Sequence, residues 1–120
     1  MEGAEDGIVA IGGDLSPERL LAAYKSGIFP WYSKEEPIVW HSPEQRFILF
    51  LDKLHVSKSM KRVLNSTKFS ITLDCNFSFV INQCASVNRK GQDGTWITNE
   101  MIEAYINLHH LGYAHSVEVW

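Results

Sequence analysis

The sequence is poor in cysteine, proline and long apolar runs, and each shortage excludes a class of protein. Its two cysteines, Cys75 and Cys84, lie nine residues apart with no Cys-x-x-Cys motif and no paired histidine spacing. This arrangement favours free thiols over a disulfide framework or a metal site. Four prolines and eight glycines in 120 residues exclude collagen-like and low-complexity chains. No apolar run approaches the roughly 18 residues that a membrane span needs.

The sequence also lacks the features of a targeting leader. Three of its first six residues are acidic and none is basic, whereas secretory and mitochondrial leaders carry basic residues. We therefore expect a cytoplasmic protein with no membrane association. Hydrophobic residues make up 45% of the chain and charged residues 21%, which is typical of a globular protein of one domain or two small lobes.

Positive charge is scarce overall, since the net charge is −3, but it is locally concentrated. Between His55 and Leu73 the chain has four basic residues and no acidic one. The overall charge argues against a duplex-DNA binder, yet this local patch could contact phosphate. A solvated basic helix face explains the same residues equally well.

Local signals in the first third predict an α/β lobe. Ser16-Pro17-Glu18 is typical of a helix start, and Gly27 is placed to end that helix. Pro30 favours an extended backbone, so the aromatic segment Phe29–Tyr32 is predicted to be a loop that presents large rings. Ile38–His41 is predicted to be a short strand.

The rest of the chain predicts alternating strands and helices. Strands are expected over Arg46–Leu51, Phe69–Leu73 and His115–Trp120, and helices over His55–Leu64, Asn76–Ala85 and Thr98–Gly112. The apolar residues of each element are expected to point inward, among them Val56, Met60, Val63, Leu64, Phe69, Ile71, Leu73, Val117 and Val119. The last strand has the pattern of a core strand but no predicted partner, so we expect the chain to be cut from a longer one. The fold class is therefore α/β (α+β), with a lobe over residues 1–44 and a second part over residues 45–120.

Catalytic patterns are scarce in this sequence, whereas aromatic residues outside the predicted core are frequent. No serine lies in a nucleophile elbow, and His115 and Glu118 should lie on opposite faces of one strand. Trp31, Tyr32 and Trp96 fall in predicted loops or at element edges, where core packing explains a large ring less easily. Stacking on an unpaired nucleobase is worth about 1–3 kcal/mol. Packing between two lobes is the alternative reason for these rings.

Six strings, in this order and at this spacing, resemble the bacterial leucyl/phenylalanyl-tRNA–protein transferase family. They are Ala10–Leu21, Tyr24–Tyr32, Trp40–Pro43, Leu54–Met60, Gly94–Thr98 and His115–Trp120. The resemblance implies a small N-terminal α/β lobe followed by the first part of an acetyltransferase-like domain. It also implies an aminoacyltransferase that moves Leu or Phe from charged tRNA to the N-terminal Lys or Arg of acceptor proteins, which marks them for degradation. No cofactor and no metal are implied, because the ester of the charged tRNA is already activated.

The resemblance also implies roles for individual residues. Trp31 and Trp96 match the family tryptophans that seat the terminal adenosine of the tRNA, and Tyr24 and Tyr105 match the tyrosines around that seat. A basic helix suited to tRNA phosphates is matched by Lys58, Lys61 and Arg62. The family usually has two tryptophans where this chain has Trp40-His41, and its basic run gives way here to Asn65-Ser66-Thr67.

The resemblance assigns no catalytic residue to this chain, because the catalytic Asp and Gln of the family lie beyond Trp120. We therefore expect the 120-residue chain to be inactive in transfer on its own. A stand-alone RNA 3′-end-binding module without catalysis is the alternative. An acetyl-CoA-dependent transferase would need a pyrophosphate-binding loop before a helix, and the sequence contains none.

Overall fold

A computed structural model describes residues 7–87 and 97–120. Its helices are α1 (Pro17–Lys25), α2 (Lys58–Asn65), α3 (Phe77–Ser86) and α4 (Asn99–His110), with one turn of 3₁₀ helix at Leu51–Lys53. Its strands are β1 (Ile8–Ile11), β2 (Phe29–Pro30), β3 (Val39–His41), β4 (Ile71–Leu73) and β5 (Val117–Val119). Helices combined with small antiparallel sheets confirm the predicted mixed α/β class.

The strands form two separate antiparallel sheets. The first has the order β1-β3-β2, so that Ala10 and Pro30 lie opposite Trp40 from its two sides. The second pairs β4 with β5, with Thr72 opposite Glu118. The prediction of a loop over Phe29–Tyr32 is therefore wrong for its first two residues, because the backbone of Phe29 and Pro30 pairs with β3.

Helix α1 begins and ends where the local signals predict. The Ser16 hydroxyl accepts a hydrogen bond from the Arg19 amide at 3.3 Å, and Pro17 occupies the first helical position. Gly27 follows the helix with φ +73°, a left-handed conformation that costs glycine little. Helix α4 begins in the same way, since the Thr98 hydroxyl accepts from the Met101 amide at 3.2 Å.

One hydrophobic core joins the first sheet, α1 and α4. Its buried members are Leu15, Leu20, Tyr32, Ile38, Trp40, Met101 and Leu108. The Trp40 indole N–H donates to the Gly12 carbonyl at 2.9 Å, which satisfies the one polar group of that buried ring. Tyr32 was predicted to be presented by a loop, but only 5% of it is exposed, so it is a core residue instead.

The strand predicted over Arg46–Leu51 is wrong. The segment has no regular structure before the 3₁₀ turn, and Phe47 to Leu51 are all exposed. Arg46 is held at its start, where the guanidinium donates to the carbonyl of Gly27 and the hydroxyl of Ser42. Within residues 7–87 and 97–120, no strand pairs with this segment, so its backbone has no ladder to join.

Strands β4 and β5 bury the face opposite to the predicted one. Val117 and Val119 are about three-fifths exposed, whereas Ser116 and Glu118 are buried. The Glu118 carboxylate accepts hydrogen bonds from the Thr72 hydroxyl at 2.7 Å, the Cys75 amide at 3.0 Å and the Ser116 hydroxyl. These donors make burial of a charged side chain possible. The last strand also has a partner in β4, contrary to the prediction.

The same hydrogen bonds predict that acid weakens the β4–β5 pair. Donation from the hydroxyls of Ser116 and Thr72 lowers the pKa of Glu118 below its usual 4.5. A carboxyl whose pKa is depressed on folding stabilises the protein fully above its unfolded value, and this contribution is lost as the pH falls through the folded value. We expect the urea midpoint of the wild type to decrease below about pH 4.5.

The Glu118→Gln variant tests this expectation in urea titrations followed by circular dichroism. It should have a lower midpoint than the wild type at neutral pH and a flatter pH dependence in acid. Glu103→Gln on the exposed side of α4 removes the same charge and should follow the wild type. Parallel pH curves for the wild type and Glu118→Gln would contradict the role of this carboxylate.

Helix α2 is shorter than predicted and does not bury its apolar side. It begins at Lys58 because the Ser57 hydroxyl accepts from the Met60 amide at 3.1 Å, which leaves His55 and Val56 outside the helix. Met60, Val63 and Leu64 are between 41% and 56% exposed. The inward direction predicted for them is wrong in this structure, although their helical spacing is correct.

Cys75 and Cys84 are free thiols, as predicted, and both are exposed. Along the described stretches, no helix has the length and apolar character needed to cross a bilayer.

Candidate functional site

Trp31 combines a fixed main chain with an exposed ring. Its amide donates to the Val39 carbonyl at 2.9 Å, and its carbonyl is 2.9 Å from the Nε2 atom of His41. The residue is nevertheless 57% exposed. An indole held in this way can offer its ring to a ligand at little additional cost in backbone entropy.

Two rings lie beside Trp31 on the same sheet. Phe29 lies 6.5 Å from it, and His41 lies 6.4 Å from it at a steep angle, as measured between ring centroids. His41 also stacks on Phe29 at 5.9 Å. The ring packed against both Phe29 and Trp31 is therefore an imidazole.

Tyr24 and Tyr105 meet directly, as their predicted positions on two helices allowed. Their hydroxyl groups form a hydrogen bond, and their rings pack edge to face with centroids 6.4 Å apart. Burial raises the pKa of Tyr105, and the hydrogen bond with Tyr24 adds to the effect. Tyr105 is therefore a neutral phenol at physiological pH. The pair joins the last turn of α1 to α4.

A second phenol contact lies at the start of α4 and was missed by the sequence analysis. The Tyr32 hydroxyl donates to the Glu100 carboxylate at 2.6 Å. Burial raises the pKa of Tyr32, and this donated hydrogen bond raises it further. The two partners are 68 residues apart, so no spacing in the sequence indicates the contact.

The predicted basic residues share one side of α2. Lys58 precedes Lys61 by three positions and Arg62 by four, which places all three on neighbouring turns of one face. All are exposed, and no carboxylate of the described residues forms an ion pair with them. They can therefore meet a phosphate without first breaking such a pair. The fourth aromatic residue of the predicted seat, Trp96, lies outside the described residues.

A polar cluster at the end of the second sheet was also missed. Asp74, with φ +57°, accepts from the Nδ1 atom of His115 at 2.8 Å and from the Ser116 amide at 2.9 Å. These contacts lower the pKa of Asp74, with the His115 hydrogen bond contributing most. The ring of His109 stacks on Phe77 at 4.4 Å beside this aspartate. The left-handed Asp74 and the sheet pairing bring together residues that the sequence separates.

Taken together, the tryptophan and the phenol contacts are suited to binding rather than to bond breaking. An exposed indole can stack on a planar ring, and phenol hydroxyls can exchange hydrogen bonds with hydroxyl groups of a ligand. Trp31 directly follows β2, and Tyr24 and Tyr105 lie on α1 and α4, which share one core with the sheet of β2.

Comparison with known proteins identifies similar sequences over almost the whole chain. A profile described as leucyl/phenylalanyl-tRNA protein transferase matches residues 48–120, and one described as the N-terminal domain of that transferase matches residues 13–44. Both matches together include every residue of the candidate site.

Three relatives illustrate the extent of the similarity, and each is named leucyl/phenylalanyl-tRNA–protein transferase. The protein of Syntrophus aciditrophicus is 60% identical over 116 residues, which cover 97% of this chain and 48% of the relative. That of Flavobacterium johnsoniae is 57% identical, covering 99% and 56%, and that of Myxococcus xanthus is 56% identical, covering 97% and 50%. The chain thus spans about half the length of the curated relatives it matches.

Proposed function

The chain belongs to the leucyl/phenylalanyl-tRNA protein transferase family, and from this membership we propose that it is the tRNA-end-binding part of such an aminoacyltransferase. The donor is Leu or Phe carried by its tRNA, and the acceptor is the N-terminal Lys or Arg of a protein that is thereby marked for degradation. The reaction takes place in the cytoplasm.

The proposed reaction is the aminolysis of an ester. The acceptor amine attacks the aminoacyl carbonyl, a peptide bond forms, and the bond to the ribose oxygen of the terminal adenosine breaks. The amine loses its proton, and the ribose oxygen gains one. The site must therefore hold the adenosine and its ester in a fixed orientation. No residue of this chain matches the catalytic Asp and Gln of the family, so we assign binding and not transfer to residues 1–120.

The observation that carries the proposal is the exposed side chain of Trp31 on a fixed main chain, together with the paired hydroxyls of Tyr24 and Tyr105. A stacked adenine needs an accessible aromatic face, and the ribose hydroxyls and ester need nearby hydrogen-bonding groups. We assign the seat of the 3′ adenosine to Trp31, Trp96, Tyr24 and Tyr105. Stacking on such a ring is worth about 1–3 kcal/mol per base and is tolerant of sequence.

We assign the phosphate contact to Lys58, Lys61 and Arg62. Contacts to phosphate carry no sequence information by themselves, so they suit a protein that accepts several tRNA molecules. We also propose the division of the chain into an N-terminal lobe over residues 1–44 and the first part of an acetyltransferase-like domain over residues 45–120.

The test is a titration of the chain with Phe-charged tRNA and with a short aminoacyl-adenosine analogue. Trp31→Ala should weaken binding of both ligands by roughly 5- to 150-fold, which corresponds to the loss of one stacking contact. Trp120→Ala is the matched control, because Trp120 is equally exposed at 58% but lies at the end of β5. It should bind as the wild type does.

Two results would count against the proposal. One is the absence of binding by a folded wild-type chain, and the other is an equal loss for Trp31→Ala and Trp120→Ala. Binding of the tRNA without any binding of the analogue would place the contact on the phosphates and not on the terminal adenosine.

A further inference from the structure

The Tyr32–Glu100 contact connects two elements that both carry residues of the proposed seat. Tyr32 directly follows Trp31. The ring of Tyr32 is buried, and its hydroxyl donates a hydrogen bond to Glu100 at 2.6 Å. Glu100 lies in the first turn of α4, and Tyr105 follows on the same helix. The contact therefore links the main chain at Trp31 to the helix of Tyr105.

A second link runs in parallel to the first. The Tyr24–Tyr105 hydrogen bond joins α1 to α4. On the other side, the main chain of Trp31 is bonded to Val39 of β3. Trp31 is thus fixed to its own sheet by one set of contacts and to α4 by the neighbouring Tyr32.

We propose that Tyr32 and Glu100 are positioning residues that set the place of Trp31 relative to Tyr105, and thereby the affinity for the aminoacyl-adenosine end. This inference rests on the proposed function. Neither residue needs to touch the ligand. The hydroxyl and the carboxylate hold α4 against the segment that carries the indole, so Trp31 and the helix of Tyr105 are already in place before a ligand binds.

The charge of Glu100 distinguishes this role from that of a bystander. A carboxylate near a polyanion repels it, so removal of an idle Glu100 would tighten the binding of tRNA. Removal of a positioning Glu100 instead weakens binding, because α4 is no longer held against the segment that carries Trp31. The two roles therefore predict changes of opposite sign.

The experiment is a set of mutant cycles read by the binding of both Phe-charged tRNA and the aminoacyl-adenosine analogue, at a temperature where every variant is folded. Tyr32→Phe removes only the hydroxyl and keeps the buried ring. Glu100→Ala removes the carboxylate that accepts the hydrogen bond from this hydroxyl. Each should weaken binding by roughly 3- to 30-fold. This loss is a fraction of what a hydrogen bond to a charged group contributes, because the bond acts on the ligand only through the position of Trp31. The double variant should bind no more weakly than either single variant. Glu100→Gln keeps an acceptor and should recover part of the loss.

Two further variants separate positioning from general stability. Glu103→Ala removes the same charge from an exposed site three residues along α4 and should bind as the wild type does. In the background of Trp31→Ala, Tyr32→Phe should have no additional effect on affinity, because there is no longer an indole to position. A role in stability alone would leave the affinity of the folded single variants unchanged.

The outcomes for the two proposals are distinct. Wild-type binding that Trp31→Ala weakens as expected, combined with unchanged binding by Tyr32→Phe and Glu100→Ala, overturns the positioning role and leaves the proposed function standing. Tighter binding by Glu100→Ala overturns it as well. Failure of the folded wild-type chain to bind the analogue overturns both.

Discussion

Replacing Leu20 by alanine is expected to lower the free energy of unfolding by about 3 kcal/mol, within the roughly 2–5 kcal/mol typical of buried leucines. Leu20 is fully buried in α1 and belongs to the core that also contains Met101. The alanine loses apolar burial and leaves a cavity that the rigid neighbours of both helices fill only in part. The cost should therefore be near the middle of the range.

The matched control for this experiment is Leu51→Ala. Leu51 is 87% exposed in the 3₁₀ turn, so the same change of side chain removes almost no burial. Its effect should stay within about 0.5 kcal/mol. Urea unfolding followed by circular dichroism measures both values, and similar losses for the two variants would mean that α1 does not pack as described.

The second large effect is expected in solution association. Ile71 lies opposite Val119, and Leu73 lies opposite Val117, so the four apolar side chains share one face of the β4–β5 pair. Each is more than half exposed. A contiguous apolar face on a sheet to which no third described strand is paired favours association between copies. We expect the average mass in analytical ultracentrifugation to rise with concentration in the micromolar range.

A single charge on this face should reverse the association. Val117→Lys places an ammonium group in the middle of it, where contact with a second copy would bury the charge. Val9→Lys introduces the same charge on β1, at a position that is 52% exposed, and should associate as the wild type does. A wild-type chain that remains monomeric at every concentration would contradict this expectation.

The parts of the fold that sequence reasoning predicted correctly depend on neighbouring residues. The start of α1 needs only a serine and a proline in adjacent positions, and its end needs a glycine that accepts a positive φ. The start of α4 needs only the threonine hydroxyl of Thr98 to reach three residues along the chain. Interactions of this range are visible in the order of residues alone.

The incorrect predictions concern which face of an element is buried. Alternation correctly identifies β5 as a strand, but burial of its polar face depends on donors from Thr72 and Cys75, more than 40 residues away. The spacing within Val117–Val119 contains no information about them. The same limit applies to α2, whose apolar side is recognised by periodicity although no described element buries it fully.

In the candidate site too, features set by neighbouring residues could be predicted, whereas contacts between distant residues could not. Pro30 indicates that Trp31 leaves regular structure, and the exposed ring agrees with that. The meeting of Tyr24 and Tyr105 could be anticipated only as a possibility, since it depends on how two helices pack. The contact between Tyr32 and Glu100 could not be anticipated, because it follows from the burial of a tyrosine that the sequence places beside an exposed tryptophan.

The core contains residues of α1 and α4, which are synthesised at different times. Tyr24 and Tyr105 are 81 residues apart, and Leu20 and Met101 join the same two helices. A growing chain has already produced α1 and the first sheet when α4 is still inside the ribosome. The entropy cost of closing so long a loop must be met before the burial of apolar side chains can offset it. The N-terminal segment therefore leaves the ribosome with an incomplete core, and its folding is completed only after α4 has emerged.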